Sequence, residues 1–179
     1  VNFFKAIYFD LNGTLVEVWT DENREEVFRT TANLLQTFGI DIRADRFREE
    51  FNAINKRQRE EKHVDHPEFD VLGIFRELIA KYGNADVNSL PSLKKAEFTV
   101  FLAQAFRAAS MSYLNTYPGV HRVLDTLKKD YRLAAVSDAQ AVWARTEMTR
   151  VKLDGYFEET VISGELGERK PAPVMFQTA

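Results

Sequence analysis

The chain has 179 residues, 45% apolar and 28% charged, a length and balance that suit one domain with a sizeable core, or a core with a modest insert, and exclude a disordered chain or two complete large domains. Lys plus Arg (24) nearly balances Asp plus Glu (27), and the formal net charge of −3 leaves no electrostatic footprint for nucleic acid or an anionic membrane surface. The absence of cysteine excludes disulfides, thiolate metal sites and cysteine nucleophiles; with no apolar run near the roughly 20 residues of a membrane span and no signal-peptide pattern in VNFFKAIYFD, the expected location is cytoplasmic.

Phe3 to Phe9 is a nearly continuous apolar run, broken by Lys5, that predicts a buried parallel strand ending at Asp10. Asn12-Gly13-Thr14 supplies turn chemistry directly after it. From Glu17 to about Asn115 the periodicity is helical. Val27, Thr31, Leu34 and Phe38 share one face and Gly39 stops that helix; Phe47, Phe51 and Ile54 repeat the spacing in a charged segment; Val71, Leu72, Phe75, Leu78 and Ile79 form a third stripe ending at Gly83. A fourth helix is predicted from about Pro91 to Ser110, capped by Ser89, with Phe98, Leu102, Ala105, Phe106 and Ala109 as its apolar face. No strand pattern is read in this stretch, so residues 17–114 are expected to be an all-helical insert.

After Tyr117-Pro118-Gly119, Val120 to Leu127 reads as a helix closed by Lys128-Lys129, Leu133 to Val136 as a second buried strand, Gln140 to Val151 as a helix, Thr160 to Ile162 as a third strand, and Pro171 to Ala179 as the start of another helix. Alternating strands and helices imply right-handed crossovers and a parallel, doubly wound α/β sheet built from residues 1–16 and 115–179.

Three segments carry chemistry-bearing residues, two of them at the ends of predicted strands, where open α/β sheets place their sites. Asp10-Leu11-Asn12-Gly13-Thr14-Leu15 holds a carboxylate rigidly before a glycine turn whose N–H groups suit an anion. Val136-Ser137-Asp138 ends the second strand. Lys170-Pro171 follows Ser163-Gly164-Glu165-Leu166-Gly167. Taken one at a time these are an Asx turn, a helix cap and a solvated charge run. Their occurrence in this order resembles the first three motifs of the haloacid dehalogenase superfamily, and Pro118-Gly119-Val120 sits where that family re-enters its core after a helical cap.

The resemblance implies a phosphatase-like hydrolase acting on a small phosphorylated metabolite. Asp10 would be the nucleophile that carries an aspartyl-phosphate; Ser137, the backbone N–H of Asp138 and Lys170 would bind the phosphoryl group, with Asp138 also capping the next helix. Mg²⁺ would be held by Asp10, the carbonyl of Asn12 and an acid from a fourth motif. Two departures stand out. Asn12 occupies the position of the family's acid/base Asp, and no fourth motif follows Lys170, so the core is expected to be incomplete at its C-terminal side and to associate with itself or with a segment carrying that motif. The alternatives are a 2-haloacid dehalogenase, disfavoured because that group usually has an aromatic residue at position 12 and Asn at position 138, and a non-catalytic phosphate-binding or regulatory module. His63 and His66, flanking Asp65 before Pro67, read as solvated histidines with substrate contact as the functional option; Trp19 and Trp143 read as packing anchors, with the cleft open to Trp19, and Arg43 to Lys62 as an exposed helix face.

Overall fold

A computed structural model describes residues 4–179 and divides into two compact units. The first comprises residues up to Trp19, Val64–Glu68 and Ser112–Ala179; the second comprises Thr20–His63 and Phe69–Met111.

The first unit is built on a parallel sheet of β1 (Ala6–Phe9), β4 (Arg132–Ser137) and β5 (Glu159–Ile162), in the order β1-β4-β5. Phe9 is in register with Ala135, and Ser137 with Ile162. The central strand β4 is buried from Leu133 to Ser137. β1, predicted to be buried, pairs among the described residues with β4 alone, and its Ala6 and Tyr8 are exposed and Ile7 and Phe9 half-buried. The start of the predicted strand at Phe3 lies outside the described residues. Helices α6 (Val120–Leu127) and α7 (Ala141–Arg150) follow the predicted periodicity, while α8 (Ser163–Leu166) and α9 (Pro173–Gln177) are short. Leu124 and Val120 of α6 pack with Leu11, Leu15, Leu133, Met148 and Leu153 into one core. Trp143 is buried as expected; Trp19 is 63% exposed and meets Tyr113 edge to face.

Two strands were not anticipated. β2 (Val16–Thr20) and β3 (Met111–Thr116) form their own two-stranded sheet, so the stretch 17–114 is not all-helical. The alternation Val16-Glu17-Val18-Trp19 is a period-two signal, masked by the charged residues that begin the helical region.

The second unit contains α1 (Glu25–Thr37), α2 (Ala44–Glu60), α3 (Val71–Tyr82), the short α4 (Ala85–Ser89) and α5 (Ser92–Ser110). Its core is a cluster of Phe28, Phe47, Phe51, Phe75 and Phe106, each 6% exposed or less. α1 buries Val27, Phe28, Thr31, Ala32 and Leu35; Phe38, expected on that face, is largely exposed against Phe98 and Phe101. Gly39, at φ 80°, ends α1 as expected, in a conformation that favours glycine. Ser89 closes α4 by donating to the Asp86 carbonyl and does not cap α5.

Within this unit the Glu50 side chain is only 11% exposed. It accepts hydrogen bonds from Lys81 Nζ (2.8 Å) and Tyr82 Oη (2.9 Å), and pairs with Arg46. The Lys81 hydrogen bond, then those of Tyr82 and the charge of Arg46, hold the Glu50 carboxyl below its ordinary 4.5 against the opposing effect of burial. A carboxyl more acidic in the folded state stabilises the fold above its unfolded pKa, and that contribution is lost as pH falls through the folded value. Glu50→Gln is therefore expected to lower thermal stability at neutral pH and to flatten the loss of stability below pH 4.5. Parallel curves of melting temperature against pH for the two proteins would show that Glu50 contributes nothing to acid sensitivity.

Candidate active site

Asp10 directly follows β1, and buried Leu11 pins the turn beyond it: the Leu11 carbonyl accepts the N–H groups of Thr14, Leu15 and Val16, while Gly13 N–H donates to Val16 O. Gly13 has φ 77° with open space where a Cβ would lie, so backbone conformation selects glycine here. Asp10 Oδ1 accepts the Leu11 N–H at 2.8 Å and lies 2.8 Å from Lys170 Nζ. The Asp10 side chain remains 42% exposed.

Lys170 is fixed at both ends. Its N–H donates to Asp138 Oδ1 (2.9 Å), and its Nζ also donates to the Val136 carbonyl at the end of β4 (3.1 Å). The next residue, Ser137, is 1% exposed, and its Oγ has no hydrogen-bond partner among the described residues. An orphaned hydroxyl at a buried strand end costs stability unless something else binds it. Asp138 does not cap the following helix. That helix begins at Ala141 after Gln140 without a side-chain cap, and the Asp138 carboxylate instead accepts the Lys170 N–H.

The structure thus brings Asp10, the end of β4 and Lys170 together. Asn12 is half-buried and its side chain makes no hydrogen bond among the described residues. The same holds for the Asn12 carbonyl and Asp10 Oδ2. These free oxygens are the hard donors that Mg²⁺ takes, with water completing its shell; no group of three or more His, Asp or Glu among the described residues is arranged as a metal site. His63 is exposed in the second unit, whereas His66 belongs to the first, where its carbonyl accepts the Arg169 N–H at 2.8 Å. The sequence reading missed Glu68 and Ser163: Ser163 Oγ donates to Glu68 Oε2 (2.8 Å), and both side chains are buried.

The Asp10 carboxylate and the buried Ser137 hydroxyl thus stand at the ends of adjacent parallel strands, with the Lys170 ammonium from the loop before α9 bonded to the first. The family model for haloacid dehalogenase-like hydrolases matches residues 7–179. The chain belongs to this family. Among relatives of this haloacid dehalogenase-like hydrolase, a glyceraldehyde 3-phosphate phosphatase of Pyrococcus abyssi is 33% identical over 76 residues, 42% of this chain and 32% of that protein. One of the same name from Methanopyrus kandleri is 29% identical over 176 residues, 96% of this chain and 67% of that protein. The chain therefore aligns with about a third of the Pyrococcus relative's length and two thirds of the Methanopyrus relative's. In fold, the chain is similar to a 2-haloacid dehalogenase of Pseudomonas syringae pv. Tomato, with a TM-score of 0.58 at 18% identity over 97% of this chain and 70% of that one. Among the described residues no helix is long and apolar enough to cross a membrane.

Proposed function

We propose that this haloacid dehalogenase-like hydrolase handles the phosphoryl group of a small phosphorylated metabolite through an aspartyl-phosphate on Asp10, with turnover impaired by Asn12. The observation that carries the reading is the Lys170 ammonium shared between Asp10 and the Val136 carbonyl, beside the unpartnered Ser137 hydroxyl. The names of the phosphatase relatives favour a short phosphorylated substrate of the glyceraldehyde 3-phosphate kind.

In this mechanism Lys170 and the Leu11 N–H orient the Asp10 carboxylate, one oxygen of which attacks phosphorus. The Asp10–phosphorus bond forms as the ester P–O bond breaks. Ser137 Oγ donates to a phosphoryl oxygen and Lys170 neutralises the charge that builds there. Mg²⁺, held by the Asp10 carboxylate and the Asn12 carbonyl, would further neutralise the phosphoryl oxygens. The departing alkoxide needs a proton and the acyl phosphate needs an activated water. Asn12 can supply neither, so both protons move through solvent. That half-buried, unbonded amide favours a second reading, a phosphate-binding module without turnover.

Orthophosphate titration of the chain, followed by ³¹P NMR and calorimetry, tests the shared site. Removing a charge-assisted contact with Lys170→Met is expected to weaken binding about 10- to 100-fold, and Ser137→Ala by a smaller factor. Unchanged affinity in both variants would place the anion elsewhere.

A further inference from the structure

Residues 64–68 lie in sequence between α2 and α3, yet they belong to the first unit. There they run beside the loop that carries Lys170. The Glu68 N–H donates to Gly167 O (2.9 Å), the Arg169 N–H donates to His66 O (2.8 Å), and Pro67 bridges Glu168. Glu68 itself is 4% exposed, an uncommon place for a carboxylate without a specific task. Its Oε2 accepts the Ser163 hydroxyl at 2.8 Å. Ser163, fully buried, in turn accepts the Ala139 N–H at 2.9 Å, immediately after Ser137-Asp138. The two loops also approach closely: Gly164 N–H donates to Ala139 O, and a Cβ on Gly164 would lie 2.9 Å from that oxygen.

From this geometry we infer that Glu68 is a positioning residue for the site, holding the loop of Ser137 and Asp138 and the loop of Lys170 in one register through Ser163 and the 66–68 segment. The inference rests on the phosphate-site reading for its consequence, not for its geometry. Glu68 reaches both loops at once, through its backbone N–H to Gly167 and through its carboxylate by way of Ser163 to Ala139. The chain closes the circuit by a separate route, since Lys170 N–H already donates to Asp138 Oδ1. Donation to the Glu68 side-chain oxygen sets the rotor of the serine hydroxyl and leaves its lone pairs to the Ala139 N–H.

The test compares the chain with Glu68→Ala, Glu68→Gln and Ser163→Ala by amide hydrogen exchange in NMR and by orthophosphate affinity. In Glu68→Ala, exchange at Ala139, Arg169 and Lys170 is expected to rise at least about tenfold, with α1 to α5 unchanged, and orthophosphate affinity to fall about tenfold. Glu68→Gln, which keeps an acceptor oxygen of the same reach, should stay within about threefold of the parent. Ser163→Ala should loosen Ala139 in the same way, which keeps the test informative if Glu68→Ala does not fold. Unchanged protection at Arg169 and Lys170 in all variants, or a uniform rise across the chain, would overturn the positioning role. If the parent binds no orthophosphate, the phosphate-site reading fails on its own, and the exchange pattern still decides for or against Glu68.

Discussion

Asn12→Asp is expected to raise phosphate release from small phosphorylated metabolites by about 10² to 10⁴-fold over the parent, with Mg²⁺ in excess, because general acid and base assistance is worth that much where a barrier needs a proton moved. Geometry supports the assignment as well as chemistry. The turn that presents position 12 is set by Leu11, Gly13 and Val16 through backbone hydrogen bonds, none of which uses the Asn12 side chain. The exchange of amide for carboxyl therefore leaves the loop as it is. The added carboxyl is available to protonate the leaving oxygen and then to take a proton from water. Phosphate release measured side by side decides the matter. Equal, measurable rates would remove position 12 from the mechanism, and no release from either protein, with orthophosphate still bound, would favour the binding module over the enzyme.

What could be read from the sequence follows from which signals are local. Asp10, Ser137 and Lys170 each sit at a strand end or after a punctuated turn, and the order of their motifs points to their convergence before any distance is known. The strands β4 and β5 were likewise legible from short apolar runs between turn residues. β2 and β3 were not, since five or six residues of mixed polarity next to charged helices carry a weak periodic signal. β1 is less buried than its apolar run suggests, because such a run reports composition, whereas burial depends on what covers each face of the strand. Asp138 was assigned to a helix cap on local grounds, and a partner 32 positions away took it. Glu68 and Ser163 illustrate the limit more sharply. Nothing in Glu-Lys-His-Val-Asp-His-Pro-Glu distinguishes the last glutamate from its neighbours, and its burial depends on a residue 95 positions on.

Phe106→Ala should destabilise the second unit by about 3 to 5 kcal/mol, the range for deleting a fully buried phenyl ring. Phe106 is 0% exposed; it stacks on Phe51 at 4.9 Å between centroids and meets Phe28, Phe47 and Phe75 edge-on at 5.7, 6.0 and 6.1 Å. Those partners come from α1, α2 and α3, so a single deletion on α5 opens a void shared by four helices. Phe101, on the same helix but 45% exposed, is the control; Phe101→Ala should cost less than about 1.5 kcal/mol. Chemical denaturation followed by far-ultraviolet circular dichroism reads both. A Phe101→Ala loss equal to or larger than that of Phe106→Ala would mean that the ring cluster is not what holds these helices.

The return of residues 64–68 to the first unit changes what kind of object the helical unit is. The chain passes from one unit to the other four times, at 19/20, 63/64, 68/69 and 111/112, where a simple insertion would pass twice. A cassette with two joints can be exchanged between relatives, deleted or replaced by a short linker at those joints alone. Here any such graft would carry away five residues whose hydrogen-bond partners, Gly167, Arg169 and Ser163, stay behind in the recipient scaffold. Recombination between family members should accordingly tolerate breakpoints near residues 20 and 111 only when the donor brings a residue able to replace Glu68, so that the helical unit and its scaffold are inherited as a pair.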